Sequence, residues 1–84
     1  LSIKSLSEGN QYQLASAQDR IPIALNSLGG QGTRDWYING RFISSAYEGS
    51  TVYHELDAAG EWELLVIDTL GNVDRIAIVV REAP

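Results

Sequence analysis

The chain has no cysteine, one histidine and one lysine, and no apolar stretch longer than the five residues Ile76 to Val80. Without cysteine there is no disulfide framework, no thiol nucleophile and no cysteine-based zinc site. A bacterial cell envelope and a cytoplasm both accept such a chain. Five apolar residues fall far short of the roughly 20 that a membrane-spanning helix needs. Basic character is scarce too: Lys4, Arg20, Arg34, Arg41, Arg75 and Arg81 are scattered from end to end, and the net charge is −5. Nucleic acid and anionic membrane surfaces are attracted by clustered Lys and Arg, so neither is an expected partner. No signal-peptide pattern is visible and the chain starts at Leu1, which leads us to expect a domain of a longer protein.

What the chain does have is alternation. Hydrophobic residues make up 44% and charged residues 20% of its 84 positions, the balance of a folded domain. Their period is two, and Gly, Asn, Asp and Ser punctuate it. LSIKSL and QYQL flank a turn at SEGN, and a polar loop, ASAQDR, leads into IPIALNSL, where Pro22 sits at a strand start or sheet edge. The glycines of GGQG (29–32) mark a loop. In DWYINGRF, Asn39-Gly40 predicts a two-residue type I′ hairpin, because that turn needs positive φ at both central residues. The register then places Ile38 opposite Arg41, Tyr37 opposite Phe42 and Trp36 opposite Ile43. SSAYEGS is expected to be a connection, TVYHELD and WELLVID strands, TLGN a second hairpin loop around Gly71, and VDRIAIVVRE the last strand.

About seven short strands at 8–12-residue spacing predict an all-β, immunoglobulin-like antiparallel β-sandwich, with residues 1–84 as a single domain. The expected interior is Ile3, Leu14, Ile23, Leu25, Trp36, Ile38, Val52, Leu56, Trp62, Leu64, Val66, Ile76, Ile78 and Val80.

Each candidate for chemistry fails on a specific requirement. A Ser-x-x-Lys nucleophile cannot be built, since Lys4 is preceded three residues earlier by Leu1. His54, with Asp57 or Asp68, could anchor a triad only by leaving the strand side it shares with Val52 and Leu56. Glu61 and Glu63 lie about 7 Å apart on one strand side, whereas glycosidase carboxylates face each other across a cleft. GGQGTRD has no third glycine and no following helix for a dinucleotide. DTLGNVD lacks the ligand spacing of a calcium loop. No catalytic residue, metal or cofactor is therefore expected. The aromatics give the one binding signal: Tyr37, Phe42, Tyr47 and Tyr53 are surplus to the inner face, and could form an exposed patch for sugar or protein.

Trp36-Tyr37-Ile38-Asn39-Gly40, then Gly60-Glu61-Trp62-Glu63-Leu64 and Val66-Ile67-Asp68-Thr69-Leu70-Gly71-Asn72, together with IKSLSEGNQYQL, resemble the C-terminal domain of class A penicillin-binding proteins of the 1C type. The resemblance runs from about residue 3 to residue 80. It implies a non-catalytic module of a bifunctional peptidoglycan glycosyltransferase/transpeptidase, anchored in the inner membrane and facing the periplasm, with the catalytic domains preceding Leu1. The implied partner is another cell-envelope protein or, alternatively, peptidoglycan glycan stacked on Tyr37, Phe42, Tyr47 or Tyr53.

Overall fold

Asn39 and Gly40 both take positive φ, 51° and 79°, so the hairpin closes as the Asn-Gly pair dictates. In this computed structural model, which describes residues 1–16 and 18–83, it joins β5 (Arg34–Ile38) to β6 (Arg41–Ala46). The other strands are β1 (Ser2–Ile3), β2 (Gln11–Leu14), β3 (Ile21–Leu25), β4 (Ser27–Leu28), β7 (Val52–Leu56), β8 (Gly60–Asp68) and β9 (Val73–Glu82). No helix occurs among the described residues.

The strands form a five-stranded sheet in the order β2-β9-β8-β5-β6 and two small sheets, β3-β7 and β1-β4. Nine strands occur among the described residues; IPIALNSL adds one by breaking at Asn26 into β3 and β4, and LSIKSL pairs only through Ser2 and Ile3. Lys4 N–H donates to the Asn26 carbonyl at 2.9 Å, holding β1 to that break. All pairings are antiparallel except β2 with β9, which is parallel. The cause is that the first segment changes sheets. It runs beside β4, turns at SEGN, and then lines the outer edge of β9. Along that edge Asp74 accepts from Ile3 N–H at 2.8 Å, Gly9 N–H donates to the Ala77 carbonyl at 2.8 Å, and residues 11–14 pair with 79–82. An otherwise open edge is thereby covered.

Burial follows the predicted period. Ile3, Leu14, Ile23, Leu25, Trp36, Ile38, Leu56, Leu64, Val66, Ile78 and Val80 form the core, joined by Leu6, which alternation did not assign. Val52, Ile76 and Trp62 pack only partly against it; for Trp62 this corrects the expectation of an interior side chain. Its place near the start of β8, opposite Ile78, leaves it at the rim of the sandwich.

Two details of β6 differ from the sequence reading. Trp36 faces Ser44 instead of Ile43, because a bulge falls between Trp36 and Tyr37 in the β5–β6 ladder. The strand also continues through Ser44, Ser45 and Ala46, residues assigned above to a connection. Pairing with β5 overrides their weak strand preference, helped by the Ser45 hydroxyl, which donates to Asp35 Oδ1 at 2.6 Å. In the ASAQDR loop, residue 17 lies outside the described residues.

The packing predicts a sharp contrast between two leucines. Leu64 is 0% exposed and Leu70 is 72% exposed. Leu64→Ala should cost about 2–5 kcal/mol through lost burial and a residual cavity, whereas Leu70→Ala should stay within about 0.5 kcal/mol. Urea denaturation of both variants checks this.

Candidate functional site

Alternation along each strand decides where the four surplus aromatics go. Trp36 and Ile38 point into the core, so Tyr37 lies on the outer face of the five-stranded sheet. Phe42 is directly across from it, with ring centroids 5.7 Å apart in an edge-to-face arrangement. Tyr53, between Val52 and His54 on β7, lies on the outer face of the β3–β7 sheet and is 75% exposed. Tyr47 follows β6 in a turn closed by Ser50 N–H to the Tyr47 carbonyl, and is 70% exposed. The structure thus brings Tyr37 and Phe42 together, places Tyr53 on the other sheet, and sets Tyr47 in the turn that follows β6.

The Tyr37–Phe42 pair belongs to a larger apolar band that the sequence reading missed. Across the outer face the register aligns Phe42, Tyr37, Leu65 and Arg75 in one row, and Ser45, Asp35, Ile67 and Val73 in the next. Leu65, Ile67 and Tyr37 are partly buried, while Phe42 and Val73 are about half exposed at 52% and 51%. The available signal was the unbroken apolar run Leu64–Ile67. In such a run both parities are apolar, so both faces of the strand are. Glu63 rims the band and faces Arg75 at 3.7 Å, so it takes part in a surface ion pair.

Where the edges of β6 and β7 part, a groove of about 360 Å³ opens between the sheets, lined by Ile38, Asn39, Arg41, Ile43, His54, Asp57 and Trp62. It adjoins a shallower hollow of about 520 Å³ that shares His54 and Asp57 and extends to Arg20, Pro22, Tyr53 and Glu55. His54 meets Trp62 edge to face at 6.1 Å between ring centroids, and the Trp62 indole N–H donates to the Ala58 carbonyl at 3.1 Å. Neither cavity is lined by a serine or threonine, so the hydroxyl nucleophile that a His54 triad requires is missing there.

The two loops considered for a nucleotide and for calcium are instead bound to each other. Arg34 is 1% exposed, and its guanidinium donates to the carbonyls of Gly29 (2.7 Å) and Gly32 (2.9 Å) and to the Ser27 hydroxyl (3.3 Å). Asp68, its cross-strand neighbour, uses both carboxylate oxygens. Oδ1 accepts from the N–H groups of Leu70 (2.9 Å) and Asn72 (2.8 Å), and Oδ2 from Gln31 N–H (3.0 Å) and the Asn72 side-chain amide (2.8 Å). Thr69 completes the join by donating through its backbone N–H and its hydroxyl to the Gln31 carbonyl. Glycine is required at position 30, where a Cβ would lie 2.6 Å from Asp68 Oδ2. Occupied by four donors, Asp68 secures a loop here and has no lone pairs left over for a calcium shell.

The five-stranded sheet and the two small sheets enclose one apolar core, the arrangement of an immunoglobulin-like sandwich. The fibronectin(III)-like modules of Clostridium thermocellum CbhA superpose with a TM-score of 0.54 at 20% sequence identity, covering 99% of this chain and 100% of the other. That likeness concerns the fold alone. No curated protein matches the sequence. The model of the penicillin-binding protein C-terminus family matches residues 1–79, and the chain belongs to that family. It is the C-terminal domain of a penicillin-binding protein, hence part of a cell-envelope protein, as the resemblance carried by WYING and the later strands implied.

The loop junction gives stability a pH dependence. The Asn72 side-chain amide is the main cause that holds the Asp68 carboxyl down at about 2; partial desolvation opposes it, and the N–H groups of Asn72, Gln31 and Leu70 add to it. A folded-state value below the unfolded one (about 3.9) stabilises the fold above the unfolded value, and this contribution is lost as pH falls toward the folded value. The melting temperature should therefore drop between about pH 4 and pH 2. Asp68→Asn should lower it at neutral pH and flatten that acid slope. Thermal melts across the window check both, and an unchanged slope in the variant would contradict the assignment.

Proposed function

We propose that this domain is a protein-docking accessory module of a bifunctional peptidoglycan glycosyltransferase/transpeptidase of the 1C type. Its parent would be anchored in the inner membrane, with this domain on the periplasmic side. Family membership supports the parent class, and one structural observation carries the docking role. The outer face of the five-stranded sheet has an apolar band, Phe42–Tyr37–Leu65 with Ile67 and Val73 beside it, in which Phe42 and Val73 are half exposed and the other three partly exposed.

Apolar surface of this kind, rimmed by polar groups, is characteristic of interaction sites on soluble domains. Asp35, Ser45, Glu63 and Arg75 supply such a rim. The band lies on a sheet face and lines none of the grooves, which suits the apolar face of another folded protein better than a small ligand. Stacking of glycan on Tyr37, Phe42, Tyr47 and Tyr53 as one platform gains no support, since Tyr53 belongs to a different sheet from Tyr37 and Phe42.

Phe42→Lys and Val73→Lys place charge in the band at half-exposed positions, so both should fold with stability within about 1 kcal/mol of the parent. A cell-envelope protein retained by the wild-type domain, once purified and titrated, should bind each variant at least about tenfold more weakly, a loss of about 1.4 kcal/mol. Equal affinity for the wild type and both variants, or no retained protein at all, would refute the docking role.

A further inference from the structure

The groove between β6 and β7 has a composition different from that of the sheet face. We propose that it is a second, independent binding site, and that its ligand is a short neutral saccharide. Its floor is apolar and aromatic, with Ile38, Ile43 and Trp62, a surface on which the C–H face of a sugar ring packs. Its rim carries Asn39, Arg41 and Asp57, planar polar side chains that supply donors (Asn39, Arg41) and acceptors (Asp57) for sugar hydroxyls.

These rim groups are available. Among the described residues neither Arg41 nor Asp57 takes part in an ion pair or a side-chain hydrogen bond. Asn39 is oriented, because its Oδ1 accepts from Glu63 N–H at 2.8 Å, which leaves its amide N–H groups for a ligand. Its own backbone N–H donates to the Glu63 carbonyl at 2.9 Å, and the Trp62 indole is pinned to the Ala58 carbonyl. A site held this way binds with little ordering cost.

Charge selects against strongly charged ligands. The rim offers one guanidinium and one carboxylate, so an anion or a cation would meet one favourable and one unfavourable partner, while a neutral polyol satisfies both. Size fits as well: 360 Å³ is at the small end of ligand pockets, about 300–1,000 Å³. The adjoining hollow past His54 toward Arg20 and Tyr53 offers room for the next sugar ring. This site lies between the sheets and the docking band lies on an outer face, so either can fail without the other.

The test is an NMR titration of the 84-residue domain with cellotriose and, separately, with the trimer of N-acetylglucosamine, each to about 10 mM, the weak end of specific affinity. The Trp62 indole N–H and Asn39 side-chain amide signals should shift. The indole N–H of Trp36, a residue 1% exposed, should not, which provides an internal control. Arg41→Ala and Asp57→Ala alter exposed side chains, so melting temperature should be retained while affinity falls about tenfold. Absence of shifts with both sugars, shifts centred on Tyr37 and Phe42, or shifts unaffected by either substitution would overturn the proposal.

Discussion

The register of β8 is the constraint on which the rest of the molecule depends. β8 is the middle strand of the five-stranded sheet, paired to β9 on one side and β5 on the other. With a period of two, its position sends Leu64 and Val66 inward to 0% exposure and Leu65 and Ile67 outward. A slip of one residue would exchange the two sets. It would also move Asp68 away from Arg34 and from the loop that it holds. Core, outer band and loop junction thus share one cause.

The two ends of the sheet solve different problems. At the β9 edge, the first segment of the chain crosses from one sheet to the other and satisfies exposed backbone groups, an arrangement that leaves no long free edge on that side. At the β6 edge the strand carries a bulge and begins with Arg41, features that discourage edge-to-edge pairing. Because β6 and β7 belong to different sheets and do not pair, the sandwich stays open between them, and the groove lined by Trp62 and His54 forms there.

Local chemistry made much of this legible in advance. Asn39-Gly40 specified its turn, and alternation placed Trp36, Leu64, Ile78 and their neighbours in the core. What escaped depends on contacts distant in sequence. The bulge that sets Trp36 opposite Ser44 arises from sheet pairing and has no local marker. The parallel β2–β9 pairing requires knowing that the first segment changes sheets. Arg34 is read naturally as a surface charge; its burial becomes intelligible only when the carbonyls of Gly29 and Gly32 curl around it. Among the candidate binding residues, the hairpin register pairs Tyr37 with Phe42, whereas Glu61 and Glu63 give β8 a polar outer side in sequence and mask the outward Leu65 and Ile67 that follow. Trp62 was assigned to the core by parity alone, without regard to its position near the rim.

A penicillin-binding protein C-terminal domain built this way has an inner apolar layer that is fully buried and an outer one that stays partly exposed. The most direct measurement is paramagnetic relaxation of the methyl groups of the isolated domain by a soluble, inert gadolinium chelate. The account predicts alternation along one strand: strong relaxation at Leu65, Ile67 and Val73, and little at Leu64 and Val66. Equal protection of all four β8 methyl positions would show that the domain covers its own outer face, and would contradict the account.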